Sequence, residues 1–172
     1  MEKKKISAEP FVFPMPTALI GAKVKGKPTF MPIAFCNMVS SNPPIFILAS
    51  TKTHYTNIGI RENKTFGVNI PSVDLVRATD YCGLVSGHRV DKSKVFKTFY
   101  GELKTAPMIE DCPLVLECKL IQSLEVGKND VFLGEVVAGY AEDKYLSNGV
   151  PDLKKINPVI YSWGDDYWKL GD

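Results

Sequence analysis

The first third of the chain alternates short apolar segments with polar turns, a pattern typical of β-strands joined in hairpins. Residues 17–24 (TALIGAKV) predict a first strand, residues 25–27 a turn, and residues 28–38 the returning strand. Residues 45–49 (IFILA) form an uninterrupted apolar run, which predicts a strand buried on both faces. No helical pattern separates these three strands, so we expect them to form an antiparallel meander.

Two short helices are predicted after the third strand. The first spans residues 55–63, and the second begins after Ser72, whose hydroxyl is placed to cap it. Between them, residues 66–70 (FGVNI) predict a strand that ends at Pro71. These helices therefore interrupt an otherwise strand-rich pattern.

The second half of the chain predicts one long hairpin and a short final strand. Residues 114–124 and 131–140 form the hairpin, with Gly134 at a bulge or a close backbone approach. Residues 158–163 predict the last strand. The stretches without a clear period are expected to be connections or an aromatic tail: 99–113, 141–157 and 164–171.

Six or seven strands in hairpins, with two short inserted helices, predict a mainly β fold, an antiparallel barrel with short helical insertions. A length of 172 residues predicts a single domain over 1–172, or one domain with a decorated end. A parallel nucleotide-binding sheet would need strands that alternate with long helices, and the first 50 residues do not provide them. The chain has neither GxGxxG nor GxxxxGK[ST], so any cofactor has to be held in another way.

Charge and cysteine content exclude several classes of function. The net charge of +2 is too small to indicate nucleic-acid binding. No apolar run approaches the roughly 18 residues of a membrane span and no leader pattern precedes the fold, so we expect a cytoplasmic protein without a membrane. The four cysteines lack metal-ligand spacing and are expected to be buried free thiols. With two histidines, a zinc site is not expected.

Polar side chains cluster where the second and third strands end. Asn37, Met38, Val39 and Ser40 lie around a predicted polar turn. Residues 50–56 (STKTHYT) then bring four aliphatic hydroxyls, a lysine and a histidine to the expected beginning of a helix. A helix N-terminus has unpaired N–H groups and positive potential, so these residues suit a phosphate. The alternative is that Thr51 or Thr53 is only a helix cap.

Seven segments occur in a characteristic order along the chain: TALIG (17–21), NMVSSNPP (37–44), FGVNIP (66–71), CGLVSG (82–87), DK (91–92), FLGEV (132–136) and YWKLG (167–171). Together they resemble the flavin reductase-like family, and most closely its flavoredoxin-like branch of FMN-binding split-barrel proteins. The resemblance covers nearly the whole chain, from about residue 17 to the end. It implies an antiparallel split β-barrel that forms a homodimer and binds FMN non-covalently near the dimer interface.

The resemblance also implies roles for individual residues. The backbone of Asn37, Met38, Val39 and Ser40 would border the polar edge of the isoalloxazine ring and stabilise negative charge on the reduced ring. The ribityl chain and phosphate would be held by Ser50, Thr51, Lys52, Thr53, His54 and Thr56. Lys92 is a candidate for a phosphate contact, with a solvated loop lysine as the alternative. Trp163 is a candidate for stacking near the ring, with a core or interface aromatic as the alternative.

This chain departs from the family pattern at two positions. Relatives often carry Arg where this chain has His54, so phosphate binding here is expected to weaken as pH rises and His54 loses its charge. Relatives often carry Ser-His-Asp where this chain has Lys128-Asn129-Asp130. The role of that histidine cannot be transferred to Asn129.

No residue of the chain has the pattern of a general base or a covalent nucleophile, which fits hydride transfer performed by a flavin. The resemblance predicts an oxidoreductase that passes electrons from NADH or NADPH through FMN to an acceptor. One alternative is an electron-transfer protein whose tightly bound FMN serves a redox partner protein. Another is a binding module that keeps the barrel without a redox ligand.

Overall fold

Antiparallel strands make up most of the structure, a computed structural model that describes residues 1–164 and 166–171. The strands are β1 (Met15–Pro16), β2 (Ala18–Val24), β3 (Lys27–Ile33), β4 (Cys36–Ser41), β5 (Pro44–Thr51), β6 (Thr65–Ile70), β7 (Thr98–Phe99), β8 (Met108–Ile109), β9 (Leu114–Val126), β10 (Asn129–Ala141), β11 (Leu146–Ser147), β12 (Val150–Pro151), β13 (Ile160–Ser162) and β14 (Asp166–Trp168). The helices are α1 (Tyr55–Asn63), α2 (Val76–Leu84) and α3 (Leu153–Ile156), with 3₁₀ turns at Val73–Leu75 and Asp143–Tyr145. The prediction of a mainly β fold with short helices is confirmed.

Seven strands form one sheet in the spatial order β3-β2-β6-β9-β10-β5-β4, and all of its pairings are antiparallel. β3 and β4 are therefore opposite edges, yet only Ala34 and Phe35 separate them along the chain. Three Cα–Cα steps span at most about 11 Å, whereas a flat sheet of seven strands is about 29 Å wide. The sheet must therefore curl until its edges approach each other. Within the described residues no ladder joins β3 to β4, so the barrel prediction is confirmed only as a curled, open sheet.

The curled sheet encloses a core to which all seven strands contribute. Ile20 packs inside it with Phe66 and Phe132, whereas the adjacent Leu19 packs on the outer face with Met108. Successive side chains of a strand point to opposite faces. β2 is therefore covered on both sides, which explains its apolar run from Ala18 to Ala22.

The prediction of one strand over residues 28–38 is wrong, because Ala34 and Phe35 divide this stretch between β3 and β4. The polar turn predicted over residues 37–42, stiffened by Pro43 and Pro44, is shorter than predicted. Residues 37–41 belong to β4, and the turn to β5 consists of Asn42 and Pro43. Pairing with β5 provides hydrogen-bond partners for the backbone of this polar segment. This stabilisation depends on β5 and is not visible in the sequence of the segment itself.

Helix α1 has the predicted bounds, but the second helix begins later than predicted. A 3₁₀ turn precedes α2, and the Ser72 side chain makes no capping hydrogen bond, so the predicted cap is wrong. Ser72 instead forms an isolated antiparallel bridge with Pro158, which holds it in extended conformation. Tertiary pairing thus replaces a local cap.

The stretches predicted as connections contain short elements. β8 lies within residues 99–113, and β11, β12 and α3 lie within residues 141–157. In the predicted tail over 164–171, β14 pairs with β13, while position 165 lies outside the described residues. All four cysteines are buried free thiols, as predicted. No helix in the described ranges is both long and apolar enough to cross a membrane.

Gly134 lies at a register shift between β9 and β10, which confirms the predicted bulge or close approach. A Cβ atom there would lie 2.4 Å from Cζ of the fully buried Phe66 ring. We expect Gly134→Ala to lower the free energy of unfolding by about 1–3 kcal/mol, because the core would be overpacked. Urea denaturation measures this change. Gly139→Ala on the same strand meets the Leu116 side chain at 3.3 Å and is the milder control. Equal losses in the two variants would contradict the prediction.

Candidate functional site

Strand β4 carries the four residues predicted to border a flavin ring. Asn37, Met38 and Val39 are exposed, and Ser40 is partly exposed. Within the described residues β4 pairs only with β5, so its outer row of backbone groups is open to a ligand or another chain. The register shifts between Met38 and Ser40, which makes Val39 the extra residue of a bulge.

The segment over residues 50–56 leads from the end of β5 into α1, and its side chains divide into two groups. Lys52, Thr53 and His54 are exposed, Thr51 is half-buried, and Ser50 and Thr56 are almost fully buried. Ser50 and Thr56 therefore face the interior of the protein, and the Ser50 hydroxyl hydrogen-bonds there with Asn57 and His54. The Lys52 ammonium pairs with the Glu125 carboxylate at 2.5 Å. Thr53, His54 and the backbone are therefore the groups best placed to meet a ligand.

The start of α1 has unpaired backbone donors. His54 is the N-cap residue without a side-chain capping bond, and its N–H donates to Thr51 O at 2.9 Å. In residues 1–164 and 166–171, no acceptor receives the N–H groups of Tyr55 and Thr56. The first turn also has no acidic side chain, so this end favours an anion. The alternative in which Thr51 or Thr53 caps the helix is wrong.

A buried hydrogen-bond network joins this segment to the sheet, with Asn57 at its centre. The Asn57 amide nitrogen donates to Thr51 O at 3.0 Å and to Asp130 Oδ2 at 3.1 Å. A carbonyl and an ionised carboxylate can only accept, so Asn57 Oδ1 must face Ser50 Oγ, at 2.8 Å. The Ser50 hydroxyl therefore donates to Asn57. Its contact of 2.9 Å with His54 Nδ1 must then be one in which Ser50 accepts.

The direction of these bonds determines the tautomer of His54. Nδ1 carries the proton of the neutral ring, and Nε2 carries a lone pair. A lone pair cannot donate to a phosphate oxygen, whereas the doubly protonated ring can. Partial burial, and then the positive charge of Lys92, lower the pKa of His54 below its usual value. The residue is exposed as a whole, but its Nδ1 edge faces the buried Ser50.

Asp130 anchors the network from β10. Its side chain is 2% exposed and lies 2.6 Å from Nη2 of Arg61, in the last turn of α1. The Arg61 guanidinium also lies over the Phe132 ring, 5.3 Å from its centroid. Asp130 is paired with Ser50 across the β10–β5 ladder. One carboxylate thus holds the helix and both strands in a single arrangement.

Lys92 lies in the wall of the site rather than at its surface. The residue is 5% exposed, and its ammonium donates to Phe30 O at 3.0 Å and Cys82 O at 2.6 Å. Burial lowers the pKa of Lys92. Its charge acts on His54, while its direct contact with a phosphate stays a prediction.

Trp163 lies beside the beginning of β4. Its ring stacks on Phe35 with centroids 6.3 Å apart and planes 6° apart. Phe35 directly precedes β4, so the structure brings Trp163 close to the strand that carries Asn37. Both rings are partly exposed, and the contact of Trp163 with a flavin stays a prediction.

Sequence reasoning missed Phe35, Asn57, Arg61 and Asp130. Asn57 and Arg61 are four residues apart and share one helix face, a spacing that could have singled them out. Asp130 lies beside Lys128 and Asn129 at a predicted turn, where an exposed carboxylate is the ordinary expectation. Its burial depends on contacts 73 residues away.

Similarity to known proteins covers nearly the whole chain. Residues 11–164 match the family described as "Flavin reductase like domain". The chain is similar to the crystal structure of a flavoredoxin from Methanosarcina acetivorans, with 49% identity, a TM-score of 0.97, and coverage of 100% of this chain and 93% of that one. It is also similar to the flavoredoxin of Desulfovibrio vulgaris (Miyazaki F), with 31% identity, a TM-score of 0.91, and coverage of 99% and 94%.

A curated relative is longer than this chain. An uncharacterized protein of Aeropyrum pernix is 29% identical over 157 residues, which is 89% of this chain and 59% of that protein. This chain thus spans less than two thirds of that relative. On the extent of the family match and the two similar structures, the chain belongs to the flavin reductase-like family, in its flavoredoxin-like branch.

Proposed function

We propose that this chain binds FMN non-covalently and acts as a redox protein of the flavin reductase type. The observation that carries the proposal is the unpaired start of α1 beside the open edge of β4. The N–H groups of Tyr55 and Thr56, with the Thr53 hydroxyl and the His54 ring, would hold one phosphate. FMN carries a single phosphate, which fits this single anion site.

The ring of the cofactor would lie along β4. Asn37 faces Ile47 on β5, and Ser50 is three residues further, about 10 Å along the strand. One hairpin therefore carries both the ring and the phosphate ends of the proposed site. Free backbone groups of β4 would border the polar edge of the ring, and the Phe35–Trp163 pair would cover apolar ring surface.

FMN, when bound, supplies the redox chemistry by accepting a hydride equivalent and releasing electrons. The chain supplies position and electrostatics. Asp130 and Asn57 orient Ser50, which holds the Nδ1 edge of His54 and directs Nε2 outward. No side chain is assigned to proton abstraction or covalent catalysis, so the proposal has no catalytic residue.

Two candidate functions share this site. NADH or NADPH reduces the flavin in the first, which the family description as flavin reductase supports. A tightly held FMN exchanges electrons with a redox partner protein in the second, which the likeness to two flavoredoxins supports.

The visible spectrum of the purified protein under anaerobic conditions separates the two functions. We expect absorption peaks of oxidised flavin, because the site offers phosphate and ring contacts on rigid elements. Bleaching by NADH or NADPH would support the reductase and identify its donor. Bleaching by dithionite alone would support the electron carrier. A colourless protein that binds no added FMN would contradict the proposal and leave a binding module without a redox ligand.

FMN affinity is expected to fall as pH rises, because only protonated His54 donates through Nε2. The free ring has a lowered pKa and a bound phosphate dianion raises it, so the fall lies between these two values, within about pH 5–8. Quenching of flavin fluorescence measures the affinity. His54→Arg keeps its charge throughout this range. The variant is therefore expected to show only the titration of the phosphate itself, about pH 6. Identical pH profiles for the two proteins would refute the role of His54.

We further propose a homodimer that covers the edge of β4. Phe35, Met38, Val39 and Trp163 are 40%, 44%, 53% and 46% exposed, an unusual apolar surface beside an unpaired strand edge. Light scattering is expected to give about twice the mass of 19.1 kDa. Val39→Lys should shift the protein toward the monomer, because a charge would enter the interface. Val150→Lys, at a 63% exposed position of β12, is the control. A monomeric mass for the unchanged protein would refute the dimer.

A further inference from the structure

An exposed apolar segment precedes β1, and we call residues 6–13 the arm. Phe11, Val12 and Phe13 are 42%, 74% and 52% exposed, although they are three large apolar residues in a row. Within the described residues, the backbone hydrogen bonds of the arm join only positions two apart in the arm itself. An exposed apolar cluster of this kind indicates a surface that is covered by a partner.

The arm leaves the body of the protein at the tip of the β13–β14 hairpin. β1 follows the arm and pairs with β13, with Met15 opposite Tyr161. One further step of this antiparallel register brings Pro14 opposite Ser162. The arm therefore begins beside Trp163, whose ring belongs to the exposed apolar surface at β4. The arm thus extends the surface that is proposed for the dimer.

A pocket of about 440 Å³ opens at the base of the arm, and we call it the arm pocket. Trp168 donates its indole N–H to Ser162 Oγ at 3.0 Å, so the polar group of this exposed ring already has a partner. An uncharged wall of this kind suits apolar side chains. The lining residues carry no charge: Phe13, Pro14, Ile160, Tyr161, Ser162 and Trp168.

The apolar surface at β4 is small for a stable dimer. A stable protein–protein interface takes about 20–30 residues from each partner. The surface at β4 offers four exposed apolar residues, Phe35, Met38, Val39 and Trp163. The arm and its pocket add a second group of residues that adjoins the first. A second copy of the chain is therefore the occupant that fits the pocket.

We infer that two copies of the chain exchange their arms, so that Phe11 and Val12 of each copy occupy the arm pocket of the other. The inference rests on the proposed homodimer and adds a contact to it. Phe13 is a wall of its own pocket, whereas Phe11 and Val12 lie outside that pocket. Because the arm and the pocket adjoin, one two-fold axis near the hairpin tip makes both contacts and closes the assembly.

The dissociation constant of the dimer tests the inference, measured by sedimentation equilibrium of the full-length protein. Phe11→Ser combined with Val12→Ser is expected to raise this constant at least tenfold, because two apolar side chains lose their buried positions. Leu84→Ser is the control, since Leu84 is 77% exposed at the end of α2 and belongs to neither apolar surface. The control should leave the constant unchanged.

Disulfide trapping identifies the chain that the arm contacts. A Val12→Cys protein mixed with a Ser162→Cys protein is expected to form a covalent dimer with oxidised glutathione, because the two positions meet between copies. The four native cysteines are buried and should not react. Val12→Cys mixed with Val150→Cys, at an exposed position of β12, should form no such dimer.

Three results would overturn the inference. One is an unchanged dissociation constant in the arm variant, which would leave the dimer to the surface at β4 alone. Another is the absence of a disulfide between the mixed chains, which would leave the pocket to a small apolar ligand. The third is a disulfide formed within one chain that carries both cysteines, which would show that the arm folds back onto its own pocket.

These failures are distinct from failure of the proposed function, because FMN uptake is measured separately from the absorbance of the same proteins. If the arms cross-link between copies but the protein takes up no FMN, the arm exchange stands and the flavin assignment falls. If the protein binds FMN and the dimer does not depend on the arm, the flavin assignment stands and the arm exchange falls.

Discussion

The short connection between β3 and β4 is the constraint on which the rest of the structure depends. Two residues join opposite edges of a seven-stranded sheet, so the sheet has to curl around one apolar core. The same connection places Phe35 beside Trp163, and in the described part of the chain β4 pairs with a strand on one side only. The short connection therefore accounts for two features. One is the core shared by the seven strands, and the other is the backbone edge that is open to a ligand or a partner. The stacked rings of Phe35 and Trp163 lie at the start of this edge strand.

The segment between β5 and α1 is also held in place, by hydrogen bonds from buried polar groups. Asn57 satisfies acceptors on β5 and β10 at once, and Asp130 adds an ion pair to the end of α1. Groups held by several partners are costly to move, because each would leave a buried donor or acceptor unpaired. The hydroxyl of Ser50 thereby acts as a support, while the outward edge of His54 and the helix N–H groups remain for a ligand. Preorganisation of this kind suits a redox cofactor, because the cofactor performs the electron transfer and the protein only has to hold it in position.

Positively charged groups and unpaired N–H donors cluster around this segment, which favours the binding of phosphate. The helix start contributes unpaired donors, Lys92 contributes a buried charge, and Lys25 and Arg89 line a pocket beside Tyr55. The net charge of the chain is only +2, so this positive potential is a local property. It surrounds the point where α1 leaves β5.

The amino-acid sequence by itself determined the features that depend on local periodicity and turn chemistry. The bounds of α1, the long β9–β10 hairpin, the bulge at Gly134 and the ordered segments of the family could all be predicted. The burial of the four cysteines followed from their apolar neighbours. These features are set by residues close together in the chain, whose preferences act without distant partners. Tertiary structure decided the break between β3 and β4, the extended conformation of Ser72, and the burial of Asn57, Asp130 and Lys92. The partners of Asn57 and Lys92 lie as far as 73 and 62 residues away, so short-range patterns carry no record of them. Burial of a charged or amide side chain is costly unless the fold supplies a partner, and that partner is known only once the strands have been ordered in space.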